Sequence, residues 1–419
     1  NNVRLNIKQT DYEANTVHVA VRFGSGDLVA PVEQPGLSRL AAATFIQGGL
    51  VAHSKDEIDT LMAGKTVGAS FMVEEDAFLL SGSTNPDDLD KQLSLLAAYL
   101  TAPGYREEAI RLARDSFEEM YVQIEHTMEG ALRNEVARFL ASGDPRFGFP
   151  AKEDLMQRTL PEVAAWLELP LRESYLEISV VGDIEPDMVK SAVARTFGAL
   201  PERAAEKPAL AEARVVAFPE GVEAKTFSYP SEISRAAALV YWPTDDIWDI
   251  AQTRRLGLLS EIFSDRLRVK VREAIGEAYS PYAVHRPSET FDDYGLFYSV
   301  VVTSPEVLTE INEAVVEISR SIVEEGVTED EFDRALKPML NSLNEWVRNN
   351  RYWLSRVLLR SQEKPAVLDW ARSMRDDYAN ITVEELNAVA QQYLKPTAAL
   401  RVQVVPETGS TSAAMVDED

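Results

Sequence analysis

The 419-residue sequence contains no cysteine, which excludes disulfides, thiolate metal sites and a cysteine nucleophile and leaves the compartment open between cytosol and periplasm. Histidine is scarce. His18, His53, His126 and His285 are the only four, and no two of them stand at metal-ligand spacing. Long apolar runs are also missing. The longest, such as Ala236 to Trp242 and Val300 to Val302, are far too short to span a bilayer. Cations are outnumbered, 42 Lys and Arg against 68 Asp and Glu, for a net charge of -26. That balance argues against a nucleic-acid partner, since phosphate binding needs clustered Lys and Arg, and it favours basic or extended cationic substrates alongside plain solubility. The opening Asn1-Asn-Val-Arg4 has neither a start Met nor a signal-like apolar stretch, and it reads as mature or excised.

What is present is enough apolar sequence for about two to four domains, and one internal repeat. Phe78-Leu-Leu-Ser-Gly-Ser-Thr-Asn-Pro-Asp87 aligns with Phe297-Tyr-Ser-Val-Val-Val-Thr-Ser-Pro-Glu306 at an offset of 219 residues, and the same offset lays His18 to Phe23 over Ala237 to Trp242. Leu176 to Val181 finds its counterpart in Leu400 to Val405, five residues further displaced. A repeat of this length is a duplicated domain, because solenoid units are much shorter. The boundaries are read as a first domain over 1–199, a Pro- and charge-rich linker over 200–214, a second domain over 215–405 and a disordered tail over 406–419.

Within each copy the order is strands, a helix, two strands, several helices and a final strand. Asn85 and Ser304 are placed to N-cap helices that begin at Pro86 and Pro305. Ser54-x-x-Glu57, Thr328-x-x-Glu331 and Thr382-x-x-Glu385 are capping boxes, the last with Ile381 and Leu386 as a hydrophobic staple. Val17, Val19 and Val21 alternate with His18, Ala20 and Arg22, as in a half-buried strand. The expected class is α+β: two homologous domains, each a mixed or mostly antiparallel sheet covered by helices on one face.

Recognisable hydrolytic motifs are absent. A helical zinc peptidase needs His-x-x-Glu-His, and the nearest fragment, Val122-Gln-Ile-Glu-His126, has Val122 at the first ligand position and reads as ordinary helix surface. No Gly-x-Ser-x-Gly occurs, and Gly24-Ser-Gly26 and Gly48-Gly49 lack the lysine of a phosphate loop. One octet stands out, Arg272-Glu-Ala-Ile-Gly-Glu-Ala-Tyr279. A helix carrying Arg272 that stops at Gly276 and gives way to a strand starting at Tyr279 would aim a fixed cation and a phenolic donor at one point, a pair suited to an oxyanion. Taken alone, the octet reads first as a solvated arginine followed by a half-buried tyrosine, a preference that the rest of the chain reverses.

Arg22-Phe-Gly-Ser-Gly26 followed by Gly36-Leu-Ser-Arg-Leu-Ala-Ala-Ala-Thr-Phe-Ile-Gln-Gly-Gly49 resembles the opening of the pitrilysin/insulinase (M16) zinc metallopeptidases. Active members of that family read Gly-Leu-Ala-His-x-x-Glu-His there. By resemblance, Arg39 stands at the first zinc ligand, Ala42 at the catalytic Glu and Ala43 at the second ligand, in a degenerate zinc-motif helix near 36–49. The third ligand falls at Met120, beside Glu118 and Glu119. Phe263-Ser-Asp-Arg-Leu-Arg268 with Arg272-Glu-x-x-Gly276-x-Ala-Tyr279-Ser resembles the family's Ser-Arg-Leu and Arg-Glu-x-x-Gly-Leu-Ala-Tyr-Ser segment, and Asn349-Asn-Arg-Tyr-Trp353 resembles a stretch of its bacterial long-chain branch. The likeness extends over nearly the whole chain.

The resemblance implies half of a clam-shell: a zinc-free half, without metal or other cofactor of its own, that contributes Arg272 and Tyr279 in trans to a zinc site on a homologous half or subunit bearing His-x-x-Glu-His, around an unfolded peptide substrate. The isolated chain is then not a complete enzyme. The alternatives are a catalytically inactive scaffold or peptide-binding subunit of the same fold, and an unorthodox metal hydrolase acting alone. The bacterial branch points to the periplasm before the cytoplasm.

Overall fold

The computed structural model describes residues 1–275 and 279–407, without the side chains of 273–275, 279 and 280. The chain forms two compact units, one of residues 1–118, 150–214 and 338–379, the other of 119–149, 215–337 and the remainder from 380.

The first unit is built on β1 (Arg4–Gln9), β2 (Val17–Phe23), β3 (Ser70–Val73), β4 (Phe78–Thr84) and β5 (Leu176–Gly182), in the order β1-β5-β2-β4-β3. The second has β6 (Ala224–Pro230), β7 (Ala236–Thr244), β8 (Tyr279–Pro287), β9 (Gly295–Thr303) and β10 (Leu400–Glu407), ordered β6-β10-β7-β9-β8. Counted along each copy, the two orders are the same. In both sheets the first and last strands pair in parallel and the other pairs are antiparallel, so each sheet is mixed. With the helices packed on them, these sheets are the α+β class expected from the sequence.

The offset of 219 holds in the hydrogen-bond ladder itself: Val17 faces Thr84 and Ala236 faces Thr303. The last strand departs from the sequence alignment by one residue. Val21 pairs with Ile178 while its counterpart Val240 pairs with Arg401, not with Val402. A one-residue shift exchanges the two faces of a strand; β5 is buried throughout, whereas β10 alternates. Pro406 and Glu407 continue β10 beside β6; residues 408–419, the rest of the expected tail, lie outside the described residues.

The half-buried alternation expected for β2 is not what the structure has. All seven residues are buried, including His18 at 8% and Arg22 at 2% exposure. Apolar cover reaches the second face from the far half of the sequence. The π-helical stretch Trp353–Leu358 and the residues after it bring Leu354, Val357, Leu358 and Leu359 against Ala20, Leu79 and Val181. In the second unit, Met128, Ala131, Val136 and Leu140 from the first half pack against Ala237, Leu239 and Tyr241 of β7 with Leu400, Val402 and Val404 of β10. Each sheet thus has one cover built by its own half and one taken from the other half of the sequence.

The capping boxes at Ser54/Glu57, Thr328/Glu331 and Thr382/Glu385 form. Asn85 accepts from the amide of Asp88 at 2.9 Å. Ser304 occupies the equivalent N-cap without a side-chain cap bond. In the second unit, Trp242, Phe263 and Phe297 meet at 5.6 to 6.2 Å between ring centroids, clamping the long helix Ile250–Ile275 to β7 and β9.

Candidate functional site

Helix Ile250–Ile275 buries Leu259, Ile262, Phe263, Leu267 and Val271, and this stripe fixes which residues of its last turns face outward. Arg268, Val269, Lys270 and Arg272 are exposed. Among the described residues Arg272 has no hydrogen-bond or ion-pair partner. After the helix the chain re-enters the sheet at Tyr279, whose backbone pairs with Val302 at the edge strand β8, with an irregularity before Tyr282. Gly276 and the Tyr279 side chain lie outside the described residues, so the structure brings together the helix end and the strand start but gives no distance between guanidinium and phenol.

Arg272 lines an open cavity of about 750 Å³. Its floor is fixed by Arg266, which donates to Glu331 at 2.7 and 2.9 Å, to the Ser321 hydroxyl at 2.7 Å and to the Gly326 carbonyl at 2.8 Å. Burial would raise the Glu331 carboxyl, but the bonds from Arg266 and Thr328 outweigh it and push it down to about 2. The same carboxylate closes the capping box of helix Glu329–Trp346. One ion pair therefore joins the helix start, the preceding turn at Gly326 and the long helix.

The degenerate motif does form a helix, Leu37–Thr44, entered through Gly36 at φ 89°, where a Cβ would come within 2.9 Å of Leu155. Leu37, Leu40, Ala41 and Thr44 are buried; Arg39 and Ala43 are half-buried and Ala42 is exposed. Two methyl groups and a guanidinium offer no lone pair to a metal, so these positions do not fit zinc. Arg39 and Ser38 act on Asp27 instead: burial raises that carboxyl, and the Ser38 hydrogen bond and the Arg39 charge oppose the rise. Met120 is half-buried, and Glu118 pairs with Lys152. No group of three or more His, Asp or Glu in position to hold a metal exists among the described residues.

The histidines have other occupations. His18 bonds Ser83 at 2.8 Å and Glu13 at 3.1 Å, His53 lies 3.9 Å from Glu57, and His126 bonds the carbonyl of Val122 at 3.0 Å. His285 is pushed down to about 4 by burial and bonds Thr244 at 3.1 Å. Gly24-Ser-Gly26 makes a tight junction: Gly26 has φ 55°, and a Cβ there would sit 2.1 Å from the Glu74 carbonyl.

Sequence reasoning missed a buried charge cluster in the first unit. Arg22 donates to Asp76 at 2.8 Å and contacts Glu363; Lys207 lies 3.2 Å from Asp76 and 3.3 Å from Glu363. Beside it Glu177 accepts from the Glu363 amide at 2.6 Å, and Asn6 donates to the Leu358 carbonyl at 3.0 Å. The one available signal was an arginine between Val21 and Phe23 in a mostly apolar strand. The Asn349-Asn-Arg-Tyr-Trp353 motif proves architectural: Asn349 caps its own helical turn, Asn350 accepts from Thr10 at 2.6 Å, and Lys8 stacks 4.0 Å over the Trp353 ring.

Residues 159–339 match a family model described as "Peptidase M16 inactive domain". Over that stretch the chain is similar to the inactive domain of the M16 peptidases. This agrees with the pitrilysin/insulinase resemblance of its motifs. Across 445 residues it is 21% identical to the chloroplastic stromal processing peptidase of Oryza sativa subsp. indica, covering 94% of this chain and 35% of the relative. It spans about a third of the length of the curated relatives it matches. The fold is that of a peptidase M16 inactive domain from Pseudomonas fluorescens (TM-score 0.79, 16% identity, 96% of this chain and 95% of the other). It is likewise that of the periplasmic protease PqqL from Escherichia coli (TM-score 0.80, 17% identity, 96% of this chain and 44% of PqqL). In extent this chain corresponds to somewhat less than one half of PqqL. Among the described residues no helix is long and apolar enough to cross a membrane.

Proposed function

We propose that this chain is the zinc-free half of a pitrilysin-like metalloendopeptidase, made of two copies of one domain over 1–199 and 215–405 joined by the linker 200–214. It works against a homologous half or subunit that carries His-x-x-Glu-His, in the periplasm if it follows PqqL. The observation that carries the reading is Arg272, an exposed guanidinium without a partner among the described residues, on the wall of a cavity and seven residues before the strand that opens with Tyr279.

Zinc bound on the partner would supply an activated water and polarise the scissile carbonyl. This chain's part is positional. Arg272 holds substrate carbonyls or the charge that develops as the carbonyl becomes tetrahedral, and the Tyr279 hydroxyl donates to the oxyanion. Donors fixed before the reaction need no reorganisation during it, and removing one costs roughly 100-fold in rate. With the metal-bearing half added, Tyr279→Phe and Arg272→Ala should each lower kcat/KM for an unfolded peptide about 100-fold, with the fall mainly in kcat. Wild-type turnover in both variants would leave the scaffold or peptide-binding reading.

A further inference from the structure

The cavity beside Arg272 has an uneven charge balance. Three acids line it, and each already has a cation. Glu331 is held by Arg266, Asp265 is in contact with Arg268, and Glu317 with Arg320. Of the lining cations, Arg334 is paired with Asp330, whereas Lys270 and Arg272 have no partner among the described residues. Val269, 58% exposed, directly precedes Lys270 and gives the cavity an apolar wall. In a chain of net charge -26, two unpaired cations in one concavity run against the field of the whole molecule. A volume of about 750 Å³ is within the range that takes a small molecule or one or two side chains.

We infer that this cavity is a specificity pocket for an acidic side chain of the peptide substrate, with Lys270 and Arg272 as its charged partners, Arg334 at its border and Val269 against the methylenes. The inference rests on the reading of Arg272 as substrate-facing and adds the substrate class: peptides with Asp or Glu near the residue that Arg272 touches. It reverses the expectation drawn from net charge, because the nearest cations govern recognition within a Debye length and the distant acids are screened. Lys270 and Arg334 act as specificity-determining residues and take no part in the chemistry assigned to Arg272 and Tyr279.

The test needs no metal-bearing partner and uses the full chain. Isothermal titration calorimetry at low salt compares an acetylated, amidated peptide of alternating Ala and Glu with the same peptide carrying Gln, so that terminal charges contribute nothing. The Glu peptide should bind about tenfold tighter, as two charge-assisted contacts provide. The Lys270→Glu/Arg334→Glu double variant, altered only at exposed positions, should lose that preference while keeping its unfolding temperature. Equal affinity for the two peptides, or a preference that survives in the double variant, overturns the pocket. Inorganic phosphate displacing the Glu peptide at equal concentration would make it a phosphate site and overturns the side-chain assignment. Loss of the pocket in this experiment leaves the role of Arg272 in peptide hydrolysis to the kinetic test above, and the two failures are distinct.

Discussion

Arg203 lies in the Pro- and charge-rich stretch read as a linker, yet it is 3% exposed. Its guanidinium donates to the carbonyls of Pro170, Leu171, Arg172 and Ser174 at 2.9 to 3.1 Å. A helix leaves its last four carbonyls without internal partners, and one side chain from 30 residues downstream serves most of those of helix Leu160–Glu173. Burial without a carboxylate partner pushes this guanidinium down to about 10. Arg203→Ala leaves several buried carbonyls unserved, so a fall of about 5 °C or more in the unfolding temperature of the first unit is expected by calorimetry. Glu331 offers a second residue-scale test. Its folded carboxyl is held at about 2, below its value in the unfolded chain, so the stability it contributes is present above the ordinary carboxylate range and disappears as pH falls toward 2. Glu331→Gln should weaken helix Glu329–Trp346 at pH 7 and have little effect near pH 2, as read by hydrogen exchange across pH.

At the scale of elements, β2 illustrates the limit of periodicity. Its alternating valines predict one buried face correctly, with Val17, Val19 and Val21 fully buried. They are silent about the other face, because whether a polar face meets water depends on what the rest of the chain lays over it. Here it meets the segment 350–363, and Arg22 is buried only because Asp76 and Glu363 come to it from two other elements. Burial alone would raise the Asp76 carboxyl, but Arg22 and Lys207 hold it well below the usual carboxylate range; Glu363 is lowered against the same burial effect, by Arg22 first. Both carboxyls titrate lower in the folded state than in the unfolded one. Their stabilisation is therefore complete above pH 5 or so and is lost as pH drops through the depressed values. Asp76→Asn should cost about 3 kcal/mol at neutral pH, since it leaves two buried cations to one carboxylate. It should also flatten the acid limb of the stability curve, measured by urea unfolding between pH 7 and pH 3. A variant with the wild-type acid slope would mean that this cluster does not govern acid stability.

At the scale of the whole molecule, duplication was legible and the exchange of covers was not. The constant offset, equal strand order and matching register of the β2–β4 and β7–β9 ladders all descend from local pattern, in which alternating residues, a cap and a proline recur at fixed spacing. The segments 119–149 and 338–379 look in sequence like further helices of their own copies, but each belongs to the compact unit of the other copy. The fragment 1–214 therefore lacks the residues that cover Ala20, Leu79 and Val181 and also lacks Glu363. Expressed alone it should bind a hydrophobic dye and show weak amide protection in β2, whereas supplying 338–379 should restore protection. A fragment as protected as the full chain would show that the cover is dispensable.

Sequence by itself determined the repeated order of elements, most of their caps and the inability of Arg39, Ala42 and Ala43 to hold a metal, because these depend on neighbours within a few residues or on chemistry a side chain lacks in any setting. It also singled out Arg272. Tertiary structure alone decided that both faces of β2 are buried, that Lys207 and Glu363 converge on Arg22, and that the cavity of a strongly acidic chain has two cations without partners among the described residues. Such outcomes depend on which distant segments meet, since burial and charge balance belong to the assembled surroundings of a residue.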